Sequence, residues 1–184
     1  MKILLTIRKE YREIINPIAI LDLAAYARKI GHEVDCYYFF QINKKSFKKK
    51  YDLVGLSVLQ ANGKQSIRDA IFLKKKFNVR TIVGGKWTDT INEESTSILE
   101  KNNIEIFKGH GEKLFSDNKI EYDSYPSWDI VDFKTLNDVR GDIMSSRGCP
   151  FKCHFCHNTE RKVEFFNEKR VANNIQLLFS LNID

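Results

Sequence analysis

The chain has 184 residues, of which 42% are apolar and 29% charged, and its formal net charge at pH 7 is +6. This length suffices for one domain and part of another, and this composition excludes a disordered chain. No apolar run reaches the roughly 20 residues of a membrane-spanning helix, and the apolar stretch at the N-terminus is too short for a secretory signal. We therefore expect a cytoplasmic protein with no membrane partner.

Lysine runs at 44–45, 48–50 and 74–76 carry much of the positive charge. Such runs can form a nucleic-acid surface, but they also occur on the solvated outer faces of helices in α/β proteins. No aromatic-rich RNA-binding pattern accompanies them. Solvated faces are therefore the favoured interpretation, and a nucleic-acid partner is not expected.

Strand and helix signals alternate over the first 115 residues. Leucine-rich and β-branched runs predict five strands, at 2–7, 33–39, 53–59, 80–83 and 104–107. Helical periodicity predicts three helices between them, at 17–30, 66–77 and 92–101. This alternation predicts an α/β fold: a five-stranded parallel sheet with helices on both faces, in the flavodoxin-like (Rossmann-like) strand order 2-1-3-4-5.

Glycine and polar residues follow three of the predicted strands, in the segments 57–62, 84–88 and 109–112. Ligands of such sheets bind beyond the carboxyl ends of the strands, and glycine there lets the backbone approach a ligand closely. Ordinary strand-to-helix turns have the same composition. The pattern alone therefore leaves both interpretations open.

The rest of the chain changes character. Residues 116–141 are polar and irregular and are predicted to be a linker, although Trp128 should pack on a neighbouring element. A short strand at 143–146 and a helix at 165–181 follow, with Asn167 as a candidate helix cap. The apolar stripe predicted on that helix consists of Val171, Ile175, Leu178 and Leu181. We expect an α/β domain, a linker and a C-terminal part, at 1–115, 116–141 and 142–184.

Three of the four cysteines, Cys149, Cys153 and Cys156, lie within eight residues. Clustered cysteines in a cytosolic protein indicate a metal rather than a disulfide framework. Three thiolates in one loop leave one iron of a [4Fe–4S] cube open to a small molecule with an amine and a carboxylate. Cys36 stands alone in a predicted strand, and we expect it to be a small buried apolar side chain.

Zinc is the alternative occupant of the loop. His154 and His157 adjoin the cysteines, and three cysteines with one histidine form a known zinc set. Structural zinc sites usually pair two short motifs across a spacer, and the chain has no second pair. The iron–sulfur cluster is therefore favoured, and the histidines are expected to be bystanders.

The segment 146–156 resembles the radical S-adenosylmethionine (SAM) superfamily closely. It has the hallmark Cys-x3-Cys-x2-Cys spacing with an aromatic residue, Phe155, before the last cysteine. Four further residues fit the commonest form of the loop, namely Ser146, Arg147, Gly148 and Pro150. The resemblance implies that Cys149, Cys153 and Cys156 bind three irons, that SAM takes the fourth, and that Phe155 lies beside the adenine.

The same resemblance implies a fold and a reaction for the C-terminal part. The loop should follow the first strand of a partial TIM-type (β/α)6 barrel, so that 142–184 forms the first βα unit of that barrel. The complete enzyme would cleave SAM reductively to methionine and a 5′-deoxyadenosyl radical, with the cofactors performing the chemistry.

The order of the three parts resembles one branch of this superfamily, the enzymes with a cobalamin-binding domain, which include methyltransferases and ring-forming or ring-contracting enzymes. The resemblance covers nearly the whole chain and includes the linker stretch 125–129. It implies cobalamin as a further cofactor, with seven candidate residues: Ser57, Leu59, Gly84, Gly85, Gly109, Gly111 and Glu112.

One segment departs from the cobalamin-binding pattern. Domains that ligate cobalt through histidine carry Asp-x-His-x-x-Gly after the first strand, whereas residues 8–13 contain no histidine. Many members of the branch share this absence, and some do not use cobalamin. Methylthiotransferases also join an α/β domain to this loop, but they carry three further cysteines there, which Cys36 alone cannot supply.

The segment 142–184 has room for one βα unit, whereas six units need roughly 190 residues. The resemblance therefore implies a truncated barrel, and we do not expect this chain alone to be a competent enzyme. A fragment, a truncated reading frame and one half of a split protein, completed by a second chain, are the explanations left open. Two other functions also stay open: a cobalamin-binding or interaction module with a vestigial cluster loop, and a zinc-stabilised α/β domain.

Overall fold

The computed structural model describes residues 1–8, 18–44, 47, 50–59, 62–116, 126–130, 141–154, 156 and 162–183. The strands in these parts are β1 Lys2–Ile7, β2 Glu33–Tyr38, β3 Leu53–Ser57, β4 Arg80–Gly84, β5 Glu105–Ile106, β6 Ser146–Arg147 and β7 Glu164–Phe165. The α-helices are α1 Ile18–Lys29, α2 Phe39–Lys44, α3 Gly63–Phe77, α4 Glu93–Lys101 and α5 Glu168–Ser180. Short 3-10 helices lie at Lys86–Asp89, Gly111–Leu114 and Trp128–Ile130.

Strands β1 to β5 form one parallel sheet in the order β2-β1-β3-β4-β5. The predicted α/β fold and its flavodoxin-like strand order are therefore confirmed. The register pairs Ser57, the last residue of β3, with Gly84, the last residue of β4. Because all five strands run the same way, the segments that follow them meet at one edge of the sheet.

The sheet is the middle layer of the fold, and its side chains alternate between two apolar clusters. Ile3 and Leu5 of β1 pack on the face covered by α1, in a cluster that includes Ala24. Leu4 points to the opposite face and packs in a second cluster that includes Leu73 of α3. Burial on both faces explains why β1 is a continuous apolar run rather than an alternating one.

Polar side chains mark several element ends. Asn92 caps α4, where its side chain accepts a hydrogen bond from the Ser95 N–H at 2.9 Å. The cap predicted at Asn167 is confirmed, because its side chain accepts from the Lys169 N–H at 2.8 Å. The helix α2 was not predicted. Its Gln41 side chain accepts from the Tyr38 N–H at 2.7 Å, and this bond ends β2 where the aromatic sequence suggests that the strand continues.

Cys36 lies in β2 and is 4% exposed. Burial raises the pKa of its thiol well above its ordinary value. The expectation of a small buried side chain is therefore confirmed. Within the part of the chain that the structure describes, none of the helices has the length and apolar character needed to cross a membrane.

The strand predicted at 143–146 is displaced. The observed strand β6 is Ser146–Arg147, and it pairs antiparallel with β7. A parallel barrel strand needs parallel neighbours, and β6 pairs with none among the described residues. The Phe166 N–H extends the contact by donating to the Ser145 carbonyl at 2.8 Å. The helix α5 follows, as expected for a βα unit.

The apolar stripe predicted on α5 is only partly its buried face: Val171, Ile175 and Leu181 are half-buried, and Leu181 packs against the core. Only Leu178 of that stripe is fully buried, and the other buried positions of the helix are Arg170 and Asn174. These three residues are spaced four apart, so they share one helix face. Two of them are polar because their neighbours are polar: Arg170 donates to Asp22 of α1, and Asn174 accepts from Trp128.

Residues 126–130 hold α5 on the α1 side of the sheet. Trp128 is 1% exposed, and its Nε1 donates a hydrogen bond to the Asn174 Oδ1 at 3.0 Å. From α1, Arg28 donates to the Asp129 carboxylate at 2.9 Å and to the Ser127 hydroxyl at 3.1 Å. The packing expected of Trp128 is confirmed.

Candidate functional site

A cavity of about 660 Å³ opens at the carboxyl edge of the sheet. It lies between the ends of β3, β4 and β5, the helix α1, and the segment that leads into the cysteines. Six of the seven residues expected to bind cobalamin line it: Ser57, Gly84, Gly85, Gly109, Gly111 and Glu112. Leu59 does not, because it is 38% exposed and lies outside the cavity lining.

The deep wall of the cavity is apolar. Leu5 and Ile82 of the sheet face Ile20 and Leu23 of α1 across it. Gly55 of β3 adds space, because a Cβ there would lie 2.9 Å from the Leu5 Cδ2 atom. An apolar cleft of this size with a few polar groups is typical of small-molecule and cofactor sites.

Gly85 shapes the turn after β4. Its φ of +93° favours glycine, and a Cβ would lie 2.7 Å from the Val58 carbonyl oxygen. That oxygen accepts a hydrogen bond from the Trp87 N–H at 3.2 Å, while the Val58 N–H donates to the Gly84 carbonyl at 2.8 Å. The ends of β3 and β4 are thus held together by backbone bonds that require the absence of a side chain.

Thr88 joins this turn to the end of β5. Its buried hydroxyl lies 2.8 Å from the Gly85 carbonyl oxygen and 3.0 Å from that of Phe107. At the rim, Lys86 and Asp89 form an ion pair of 3.0 Å. The strand-end glycines therefore form one braced wall of the cavity.

Four charged side chains, three of them buried and the fourth, Arg147, largely so, form the opposite wall and the layer behind it. This charge cluster consists of Asp22, Glu112, Arg147 and Arg170. Arg147 donates from Nη1 to the Glu112 Oε1 at 2.9 Å and from Nη2 to the Asp22 Oδ2 at 3.1 Å. The other Asp22 oxygen accepts from the Arg170 Nη2 at 2.6 Å. Two positive and two negative charges are therefore balanced in a buried site.

The sequence interpretation missed the roles of Asp22, Arg147 and Arg170. Asp22 is the one acidic residue of α1 and stands within the apolar run of the helix, and its residue exposure is 5%. A lone carboxylate among buried positions signals a charged partner, because unpaired carboxylates are almost never fully buried. That signal was present, but the partners lie more than 100 residues away, beyond the reach of pattern reasoning.

The three cysteines lie on the loop that follows β6. Cys149 is partly buried, whereas Cys153 and Cys156 are exposed. The Cys156 N–H donates to the Cys153 carbonyl at 3.1 Å and closes a turn. Among the described residues, no three histidine, cysteine or acidic side chains are arranged to hold a metal ion, so the three sulfurs do not converge.

The donor set nevertheless fits an iron–sulfur cluster chemically, because Cys thiolates are its ligands and all three stand on one short loop. Metal binding commonly orders such loops. Gly148 fixes the start of the loop: its φ is +89°, and a Cβ would overlap the Lys162 carbonyl oxygen. His154 is exposed. Phe155 and His157 lie outside the described residues.

The fold and the site together define a class: an α/β domain of flavodoxin-like order whose carboxyl edge faces a three-cysteine loop. Comparison with solved structures finds this fold in the radical SAM methyltransferase TsrM from Kitasatospora setae. With tryptophan substrate and the SAM analog aza-SAM bound, that structure matches at a TM-score of 0.72 and 14% identity. With cobalamin and a [4Fe–4S] cluster bound, it matches at a TM-score of 0.69 and 14% identity.

Both matches cover 98% of this chain but only 46% and 47% of the respective TsrM chains. The chain therefore spans about half the length of the structures that it matches. No family model matches the sequence. No curated protein matches it either. The likeness establishes the shared fold.

Proposed function

We propose that this chain is the cofactor-binding portion of a radical SAM protein with a cobalamin-type domain. One observation carries the proposal: a single cavity has the strand-end glycines on one side and Ser146, Arg147 and Gly148, which lead directly into Cys149, on the other. The complete protein would cleave SAM reductively, in the methyltransferase or ring-rearranging class.

The residues of the cavity have distinct roles in this proposal. Ser57, Gly84 and Gly85 would line the nucleotide tail of a corrinoid, where the bare backbone allows close approach. The apolar wall of Leu5 and Ile82 would exclude water from that tail. When bound, the cluster supplies an electron for SAM cleavage and the corrinoid supplies methyl-transfer or rearrangement chemistry.

Cys149, Cys153 and Cys156 would hold three irons of the cluster, and Phe155 would lie beside the adenine of SAM. The positive φ at Gly148 turns the chain sharply just before Cys149. The neighbouring Arg147 is anchored by two carboxylates, so the first cysteine starts from a rigid base.

The rest of the catalytic barrel would come from further chain or from a second polypeptide. Three aromatic side chains in the C-terminal part are strongly exposed: Phe151 at 68%, Phe165 at 82% and Phe179 at 75%. These side chains would be available to pack against that further part. Such chemistry requires reducing conditions, in keeping with the cytoplasmic location expected from the sequence.

Anaerobic reconstitution with iron and sulfide tests the cluster. We expect about four irons and four sulfides per chain and an EPR signal after reduction. The variant with Cys149, Cys153 and Cys156 all changed to alanine should lose both. Cys36→Ala is the matched control, because that thiol is buried in β2, and it should keep both. Loss of the cluster in the control as well, or its retention in the triple variant, would refute the assignment.

Gel filtration with hydroxocobalamin tests the cavity. Gly55→Leu adds a side chain that projects into the cavity and should abolish retention, whereas Leu59→Ala, outside the cavity, should leave it unchanged. Retention of cobalamin without cluster incorporation would favour the module with a vestigial loop. Zinc in the purified protein with no cluster would favour the zinc-stabilised domain.

A further inference from the structure

The charge cluster joins four parts of the chain at the boundary between the cavity and the cysteine loop. Asp22 comes from α1, Glu112 from the 3-10 helix after β5, Arg147 from β6 and Arg170 from α5. The exposed fractions of these side chains are 3%, 5%, 15% and 3% in that order. Buried charges are costly unless each is paired, so no member can withdraw without leaving a partner uncompensated.

Arg147 occupies the centre of this arrangement. Its planar guanidinium contacts two carboxylates from two different elements, with one nitrogen directed at each. The rigid, planar set of N–H donors of arginine specifies the positions of both carboxylates, whereas the compact ammonium of a lysine would not. Arg147 also packs its guanidinium carbon 5.9 Å from the centre of the Phe166 ring, and Arg170 stacks on the same ring at 3.7 Å. The ring and the four charges therefore form one packed unit.

This unit borders the cavity on one side and leads to the first cysteine on the other. Glu112 and Arg147 both line the cavity, so an occupant of the cavity contacts the unit directly. Only Gly148 separates Arg147 from Cys149, and the backbone there is tightly constrained. A displacement of Arg147 is thus passed to the first cysteine over two residues.

We infer that Arg147 is a positioning residue that energetically couples ligand binding in the cavity to cluster binding at the cysteines. The inference rests on the proposed function, because it takes the cavity and the loop as the two sites. Cluster ligation holds the cysteine loop that follows Arg147 and adds to the free energy that keeps β6 docked, so a larger fraction of molecules presents the paired wall and a corrinoid binds more tightly. Linkage requires that the corrinoid strengthen cluster retention by the same factor.

Equilibrium dialysis of hydroxocobalamin against the cluster-free and the cluster-loaded chain measures the coupling as a ratio of two Kd values. We expect the loaded chain to bind about fivefold more tightly or better, the lower end of typical allosteric coupling. In Arg147→Gln both sites should still load, but the ratio should fall to one. A merely structural role would weaken both affinities equally and leave the ratio unchanged.

Three further variants control for misfolding and for a general effect of removing an arginine. Glu112→Gln keeps the side-chain shape and should also reduce the ratio, while Arg147→Lys should restore part of it through its retained charge. Arg28→Gln removes an arginine that pairs with Asp129 outside the cavity, and it should keep the wild-type ratio. Circular dichroism confirms that each variant is folded.

The outcomes separate the two proposals. If hydroxocobalamin and the cluster both bind but the wild-type ratio is one, or if Arg147→Gln keeps the wild-type ratio, the coupling is refuted and the proposed function stands. If the wild-type chain binds neither cofactor, the proposed function fails and the coupling fails with it.

Discussion

Two regions of this molecule are held together by different forces. The sheet domain, the described residues up to 116, consists of a parallel sheet between two apolar layers. The docked segment, the described residues from 126 onward, meets it through Trp128, Leu178 and the charge cluster. Apolar burial is non-directional, whereas a buried charge is costly unless its partner stays in place. The sheet domain depends on apolar burial, and the docked segment combines apolar burial with charge pairs that set its position.

This difference predicts that the docked segment opens more easily than the sheet. Local opening requires the loss of few apolar contacts in α5, while opening β1 or β3 exposes both apolar layers. Hydrogen exchange with mass spectrometry, comparing peptides from α5 and from β3, measures each region separately.

Trp128→Ala should have the largest effect. Removing this fully buried indole leaves a cavity and breaks the hydrogen bond to Asn174, which should cost about 4 kcal/mol of the free energy that holds the docked segment on the sheet domain. Exchange in α5 should rise sharply while β3 stays protected. Phe179→Ala, on the same segment but 75% exposed, is the control and should change neither. An equal rise of exchange in β3 would mean that the two regions form one cooperative unit.

Asp22→Asn should have the next largest effect. It leaves Arg147 and Arg170 buried without their shared carboxylate, which should cost about 3 kcal/mol. Urea unfolding measures the loss. Asp129→Asn, which breaks an exposed pair with Arg28, should cost less than about 1 kcal/mol. Equal losses in both variants would contradict the view that buried charges position the segment.

Gly85→Ala tests the sheet domain at the cavity. Alanine there must adopt a positive φ and also contact the Val58 backbone, so we expect a loss of about 2 kcal/mol and weaker cobalamin retention. Gly31→Ala has a similar φ of +90° with nothing within 4 Å of the added Cβ, and it should cost about 1 kcal/mol. Thermal unfolding of the two variants separates the cost of backbone strain from the cost of the contact with Val58. Equal losses would show that the Val58 backbone moves away and that the contact adds no cost.

Arg80→Gln should have the smallest effect. Its hydrogen bond to Glu105 holds the pKa of that carboxyl below its usual range, and about half of each side chain is exposed. The stabilisation, less than about 0.5 kcal/mol, should be present at neutral pH and disappear as the pH falls below about 4.5, when Glu105 becomes protonated. Urea unfolding of both proteins at pH 7 and pH 3 measures it. A difference that persists at pH 3 would rule out the ion pair as its cause.

Much of the sheet domain was accessible to sequence reasoning. The strand at Lys2–Ile7 agrees residue for residue with the prediction, because a buried parallel strand is a continuous apolar run. The start of α3 at Gly63 lies three residues before its predicted start, since turn residues obscure helix beginnings. The displaced β6 and the polar buried face of α5 were missed because both depend on partners distant in the chain.

The site divides in the same way. The sequence by itself determined the spacing of the three cysteines and the glycines at the strand ends, because spacing and residue type are local properties. Only the tertiary structure brought six of the seven cobalamin candidates around one cavity and left Leu59 outside its lining. Only it joined Asp22 to Arg147 and Arg170, across 125 and 148 positions of the chain. Pairing of buried charges is decided by which elements pack together, and no local pattern specifies that.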